Sequence, residues 1–434
     1  MSETLIGLLG IGGMFGLLAL RVPVGMAMLA AGFFGTWVLK GERTATAILS
    51  AETFSAVSSF SLIVIPLFVL MGNISSAAGF SRGLYDLAYS WVGRFRGGLA
   101  SASILGCAAF SAVSGSSVAT AVTIGKVAIP EMNRFGYSDR LSTGSVAAGG
   151  TLGFLIPPST GFVLYSILTE ESLGRLFMAG ILPGVLLTVL FLVTILLITY
   201  FDPKAGPKGL PVPAKEKFSR LMGAAPLLAV ILVSIGGIYA GVFTPIEAAG
   251  VGATLVFLLA IAGRKLSFSS FRQVLLETVT TTTMLYMIII GAGIFSPFLA
   301  FTHIPQSLAD FLGAMGLGSF GTLLIILLAY VVLGMFMDAL SMLVITIPIV
   351  FPIILQLGYD PIWFGVIAVI VIEMGMITPP VGINVFVVKG VAPNVPMREI
   401  FTGVLPFWVA MIAALALLIA FPNLALLIPN SMFN

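Results

Sequence analysis

Residues Gly149–Tyr165 read GGTLGFLIPPSTGFVLY, and they set Pro157 and Pro158 in the middle of an otherwise membrane-grade hydrophobic helix. Proline has no amide hydrogen, and its ring crowds the carbonyl four residues earlier. Two in succession therefore free the carbonyls of Gly153 and Phe154 and divide the helix. In lipid, unpaired backbone is tolerated only where it lines a protein cavity or binds something. Glu373–Val388, EMGMITPPVGINVFVV, repeats the device. These are the two Pro-Pro pairs of the sequence, and both stand in a Gly-x-x-x-Pro-Pro frame, Gly153 before the first and Gly375 before the second. A single transmembrane proline usually just kinks a packed helix. Two related double breaks point instead to a binding site near mid-membrane.

The rest of the chain is built to hold such a site in lipid. Hydrophobic residues make up 59%, charged residues 9%, and the mean hydropathy is +1.15, whereas soluble domains run to about 25% charged. The chain is a polytopic membrane protein with almost no soluble portion. A net charge of +3 on 434 residues gives no reason to expect nucleic-acid binding. One cysteine, Cys107, excludes an internal disulfide and a cysteine metal cluster. The start, MSETLIGLLG, carries Glu3 and no basic residue before its apolar run, so it reads as a first span rather than a secretory signal.

Apolar segments of spanning length, about 20 residues each, fall near 4–20, 22–39, 57–74, 144–168 and 177–200, then near 221–242, 245–263, 279–301, 362–388 and 400–421. Two further stretches, about 99–130 and 319–355, are interrupted by Ser/Gly or Asp/Ser clusters. They read as re-entrant hairpins, turning at Ser114–Ser117 and near Asp338–Ser341. Segments 75–98 and 264–278 are more polar and are expected along the membrane surface.

A shift of 222 residues aligns Pro23 with Pro245, Pro130 with Pro352, Gly153 with Gly375, and Pro157-Pro158 with Pro379-Pro380. One unchanged shift over that distance marks two repeats. The first is expected over 1–200, followed by a cytoplasmic linker at 201–220, the second repeat at 221–421 and a C-terminal tail at 422–434. Five spans per half, an odd number, make the repeat inverted. With the N-terminus outside, 17 of the 20 Lys and Arg residues face inward, leaving Lys40, Arg43 and Arg175 outside, as the positive-inside rule requires. The first hairpin then enters from the cytoplasm, the second from outside, and their tips approach one another near the midplane.

The combination of GGTLGFLIPPS, Leu176-Phe177 with Ala179–Gly184, and EMGMITPPVGINVFV resembles the large membrane subunit of tripartite ATP-independent periplasmic (TRAP) transporters, over nearly the whole chain. The resemblance implies an all-α, elevator-type transporter of the bacterial inner membrane, driven by Na⁺, with a mobile domain of hairpins and broken helices sliding on a scaffold. It also implies two partners, a small four-helix membrane subunit and a periplasmic substrate-binding protein. With nothing before Met1 to hold it, the small subunit is expected as a separate chain. The cargo implied is a small organic anion: a C4-dicarboxylate, a keto acid or sialic acid.

Freed carbonyls at the end of a half-helix are oriented oxygens, suited to a hard cation such as Na⁺. Gly153, Pro157, Gly375 and Thr378 are the candidates at the breaks. Ser114, Gly115 and Ser117 of the first hairpin tip either complete an ion shell or, being small, only let helices pack closely. Ser116 of that tip is assigned to substrate. Asp338 and Ser341 mark the second tip. An acid between apolar arms costs about 2.5–3.5 kcal/mol and is a functional candidate by default, with a helix-capping aspartate as the plain alternative. Glu373 reads equally as a structural acid. Beyond each break a new half-helix turns its positive end to the site, where Ser159, Thr160, Gly382 and Asn384 are candidates for the substrate carboxylate. Lys126 and Lys389 are expected at the cytoplasmic surface.

Other classes find no support. Gly125-Lys126 is followed by Val127, so there is no P-loop for ATP. The one histidine, His303, lies beyond a span at the outer surface and gives no base to an intramembrane protease. The chain reads as no enzyme, with Na⁺ as coupling ion and no other cofactor. A standalone sodium–carboxylate symporter of the same architecture is the alternative reading.

Overall fold

Both Pro-Pro pairs interrupt a helix in the computed structural model, which describes residues 2–432. Positions 1, 433 and 434, the outer limits of the first repeat and of the expected tail, lie outside the described residues. The architecture is all-helical. The first half begins with α1 (Glu3–Ala19), α2 (Val24–Lys40), α3 (Glu42–Ser58), α4 (Val64–Ala77, preceded by one 3₁₀ turn) and α5 (Phe80–Val92). The first hairpin is α6 (Gly98–Ser114) and α7 (Ser117–Arg134); the broken helix is α8 (Asp139–Leu155) and α9 (Thr160–Thr169); α10 (Leu173–Phe201) closes the half. The second half has α11 (Ala214–Tyr239), α12 (Pro245–Ala262), α13 (Phe268–Phe301) and α14 (Ile304–Ala314). Its hairpin is α15 (Gly318–Gly334) and α16 (Ala339–Gln356), and its broken helix α17 (Pro361–Met376) and α18 (Ile383–Val391). Then follow α19 (Met397–Ala420) and a short α20 (Asn423–Ser431).

The 222-residue shift carries over to these boundaries. Asp139–Leu155 maps onto 361–377, against Pro361–Met376 for α17, and Ser117–Arg134 maps onto 339–356, the bounds of α16. One element departs from the pattern. The stretch 264–278 does not lie along the surface as a separate segment; it runs from Phe268 straight into α13, an unbroken helix of 34 residues. Its counterparts α3 and α4 are separated at Ser59, whose backbone is extended (φ −70°, ψ 116°). The continuity of α13 has a packing cause. It lies along α2, where Gly25 and Gly32 bring the two backbones together, and a Cβ on Gly32 would stand 2.7 Å from the Ile294 carbonyl oxygen. Nearer its start the partner is α4: Val274 and Thr278 are buried, and the Asn73 side-chain amide donates to the Thr278 hydroxyl at 3.0 Å.

Eight segments are long and apolar enough to span a membrane among the described residues, including Asp139–Thr169, Leu173–Phe201 and Phe268–Phe301. The first two expected spans fall just short, since α1 and α2 have 17 residues each, about 25 Å of helix. The ends of α1 and α2 meet where Lys40 pairs with Glu3 at 3.3 Å and His303 approaches Glu3 at 3.7 Å.

Candidate functional site

At the first break α8 ends at Leu155 and α9 begins at Thr160, and the Pro157-Pro158 bond is cis. The freed Phe154 carbonyl is taken by Ser159, whose hydroxyl donates to it at 2.5 Å. The same oxygen accepts the amides of Gly161 and Phe162 as the N-cap of α9. Ser159 is therefore fully engaged in stitching the break. A substrate would have to share this hydroxyl with those three partners.

The first hairpin tip docks directly on this break. Gly115 turns the chain with φ +60°, a conformation that suits glycine, and its carbonyl accepts both the amide (3.1 Å) and the hydroxyl (2.8 Å) of Thr160. A Cβ on Gly115 would stand 2.7 Å from the Pro158 carbonyl oxygen. One on Gly153 would overlap the Ser116 carbonyl oxygen and stand 2.7 Å from the Thr120 hydroxyl. Thr120 in turn shares a 2.7 Å hydrogen bond with Ser114. Uncharged oxygens from Ser114, Gly115, Ser116, Thr120 and Pro158 thus converge where two glycines leave room. That donor set fits a hard monovalent cation. Thr120 and Pro158 escaped the sequence reading, although Thr120 lies one turn beyond the Ser-rich tip.

The second half repeats the docking with different residues. A Cβ on Gly375 would stand 2.6 Å from the Gly334 Cα, and the Gly382 amide reaches the Met335 carbonyl at 3.4 Å. Thr378 closes the end of α17, its amide donating to the Gly375 carbonyl at 3.0 Å and its hydroxyl to that of Met374 at 2.5 Å. Asp338 caps α16: its carboxylate accepts the Ser341 amide at 3.1 Å and the Ser341 hydroxyl. It is exposed, and it makes no hydrogen bond to the second break among the described residues. The close approach is made by Gly334 and Met335 instead, which sequence reading missed because nothing polar marks them.

Glu373, Asn384 and Ser117 tie the two halves together. All three are buried, at 1%, 0% and 3% exposure. The Asn384 amide donates to one Glu373 oxygen at 3.3 Å, and Ser117 is that carboxylate's other polar neighbour. The second Glu373 oxygen and the Asn384 carbonyl oxygen have no hydrogen-bond partner among the described residues. Buried polar atoms are rarely left so. A residue of the first hairpin therefore meets the carboxylate that spans the second break. The packing is reciprocal, since α7 lies against α18 and α16 against α9.

A cavity of about 620 Å³ opens beside this assembly. Ser114, Ser116 and Thr160 line it with Leu340 of the second hairpin, and Asn73, Lys126 and Glu277 line it as well. A second cavity, of about 750 Å³, reaches neither hairpin tip and is faced by Glu52, Glu170 and Glu171. Burial lifts the Glu52 and Glu171 carboxyls above the ordinary range, Arg175 opposing this at Glu171. No cluster of His, Cys, Asp and Glu able to hold a metal occurs among the described residues.

The model of the DctM component of tripartite ATP-independent periplasmic transporters matches residues 11–424. The chain is 38% identical over 387 residues to the C4-dicarboxylate TRAP transporter large permease protein DctM of Pseudomonas aeruginosa, covering 88% of this chain and 89% of that one. It is 32% identical over 421 residues to the sialic acid TRAP transporter large permease protein SiaM of Vibrio cholerae, covering 96% and 97%. It is 37% identical over 365 residues to the isethionate TRAP transporter permease protein DctMQ of Oleidesulfovibrio alaskensis, covering 83% of this chain and 57% of that one. Among solved structures, the YdaH transporter of Alcanivorax borkumensis superposes with a TM-score of 0.63 over 89% of this chain and 90% of that one. At 16% identity that is a likeness of fold alone. Its glycine-framed double breaks, its hairpins and its relatives agree: this chain belongs to the DctM component family of tripartite ATP-independent periplasmic transporters.

Proposed function

We propose that the chain carries a small organic anion inward with Na⁺, taking it from a periplasmic binding protein and working beside a small four-helix membrane subunit. The observation that carries the reading is the repeated docking of a hairpin tip on a glycine-framed break, Gly115 and Ser116 on Gly153 and Pro158, then Gly334 and Met335 on Gly375 and Gly382. Each gathers neutral oxygens from two chain segments, so an ion there couples the tip to the broken helix. Ser114, Gly115, Ser117, Gly153 and Pro157 are assigned to the first Na⁺, and Asp338, Ser341, Gly375 and Thr378 to the second. Ser116, Ser159, Thr160, Gly382 and Asn384 are assigned to the anion. Relatives are named for C4-dicarboxylate, sialic acid, isethionate and ectoine; the first three are anions, and a carboxylate is our choice for this chain. The two repeats run in opposite directions, and the hairpins with their broken helices form a mobile domain that rides on a scaffold of α1–α5 and α11–α13.

Each Na⁺ entering across about 100 mV gains roughly 2.3 kcal/mol, so two ions with a dianion are electroneutral and a third makes uptake electrogenic. The test is Asp338→Asn in proteoliposomes with the binding protein and small subunit present. The Na⁺ concentration for half-maximal uptake is expected to rise about tenfold, as losing one charged ligand of roughly 1.4 kcal/mol would produce. An unchanged Na⁺ dependence reduces Asp338 to the cap of α16. Uptake by this chain alone would instead support a standalone symporter.

A further inference from the structure

Lys126 is the one basic side chain among those facing the 620 Å³ cavity. It is exposed there and takes part in none of the ion pairs among the described residues. Its place on α7 is regular: Ser116, Ala119, Thr123 and Lys126 all line the cavity, and a spacing of three or four keeps them on one helix face. The stripe runs from the hairpin tip to Lys126 over ten residues, about 15 Å of backbone rise. A helical side chain leans toward its N-terminus, here toward the tip. The facing stripe on α13 includes Gln273, Glu277 and Thr281. Glu277 is the one acid facing this cavity, and its carboxylate accepts the Gln273 amide at 2.9 Å, so it is held on its own helix.

An anion leaving the tip therefore passes hydroxyls and then an unpaired ammonium, on the same helix that carries the tip. The hydroxyls of the tip and the ammonium thus stand in series along one helix face. We propose that Lys126 is a second anion-binding position, which receives the negatively charged group of the cargo on its way out of the tip. This rests on the anion-transport reading above and adds to it a residue that the ion sites do not involve.

The test reads the cavity without requiring turnover. Cys107, the native thiol, is fully buried, so Thr123→Cys, one turn from Lys126, can be labelled selectively in the full chain in proteoliposomes. An anionic methanethiosulfonate is compared with a cationic one of similar size. Lys126→Gln is expected to lower the anion-to-cation rate ratio about fivefold, as one charge some 8 Å away in a watery cavity would. Lys126→Arg should keep the ratio and Lys126→Glu should invert it. Succinate, as a plain dicarboxylate probe, should slow labelling by a neutral reagent with Lys126 present and not in the Gln variant. A ratio indifferent to Lys126, or succinate acting equally on both proteins, overturns the proposal. Because labelling needs neither Na⁺ nor uptake, such a failure would be distinct from a failure of Na⁺ coupling.

Discussion

A Cβ built on Gly153 would overlap the Ser116 carbonyl oxygen, and one on Gly375 would press on the Gly334 Cα at 2.6 Å. In both cases the obstructing atom is backbone, which cannot swing aside. Gly153→Leu is therefore expected to lift the hairpin tip from the break while leaving membrane insertion intact. Overpacking of this kind costs about 1–3 kcal/mol, so Na⁺-dependent uptake should fall about tenfold or more at fixed Na⁺. Wild-type uptake with Leu present would show that the tip need not dock. Glu373 poses a different question, because one of its oxygens and the Asn384 carbonyl oxygen both lack partners. A glutamine has the same shape and offers a donor as well as an acceptor. Glu373→Gln should be at least as stable to heat in detergent as the native protein, and Glu373→Ala less stable by about 1–3 kcal/mol, the cost of stranding a buried amide. Equal melting of the Ala variant would remove the pair from the list of fold-holding contacts.

Proline acts at the level of the element, by removing a donor. Pro157-Pro158→Ala-Ala returns two amides to α8, and Pro379-Pro380→Ala-Ala does the same for α17. Each double variant is expected to insert, to gain helix across its break and to lose Na⁺-driven uptake. Full uptake after either change would make that pair an ordinary kink. These breaks were legible in the sequence because their cause is local: a missing amide needs no partner to be recognised. The hairpin tip at Gly115 was legible for the same reason. The unbroken course of α13 was not, because its early turns pack on α4, where Asn73 reaches Thr278 across 205 residues of chain, and the polarity of Ser269, Ser270 and Arg272 reads the same on a surface helix as on a protruding one. Asp338 was legible as an unusual acid, but a helix cap and an ion ligand have the same sequence signature. Gly334 and Met335 carried no signal, since their part is to let backbone approach.

For the whole molecule the decisive quantity is the sidedness of the loops. Arg134 ends α7, Lys208 lies in the segment joining the halves, and Glu171 lies between α9 and α10. Single cysteines at Arg134 and Lys208 should label from the cytoplasm, and one at Glu171 from outside. Labelling of Lys208 from the periplasm would overturn the opposed orientation of the two halves. The reciprocal packing of α7 on α18 and α16 on α9 means that neither hairpin is held by its own half alone. Ser117 of the first hairpin meets Glu373 of the second broken helix, which in turn holds Asn384 across the break.

The 34 residues of α13 give a rod of about 51 Å, whereas the hydrocarbon layer is about 30 Å thick. Even a tilt of about 40°, the steep end of the usual range, leaves nearly 40 Å along the bilayer normal. Its first turns must therefore stand clear of the acyl chains. Beside it α2 is only 17 residues long and turns Met26, Phe34, Trp37 and Val38 outward. One neighbour is too long for the bilayer and the other too short, and their backbones are locked together at Gly25 and Gly291. Lipid lying along this edge would have to match both, and the stress of that hydrophobic mismatch would fall on a contact that has no side chains with which to yield.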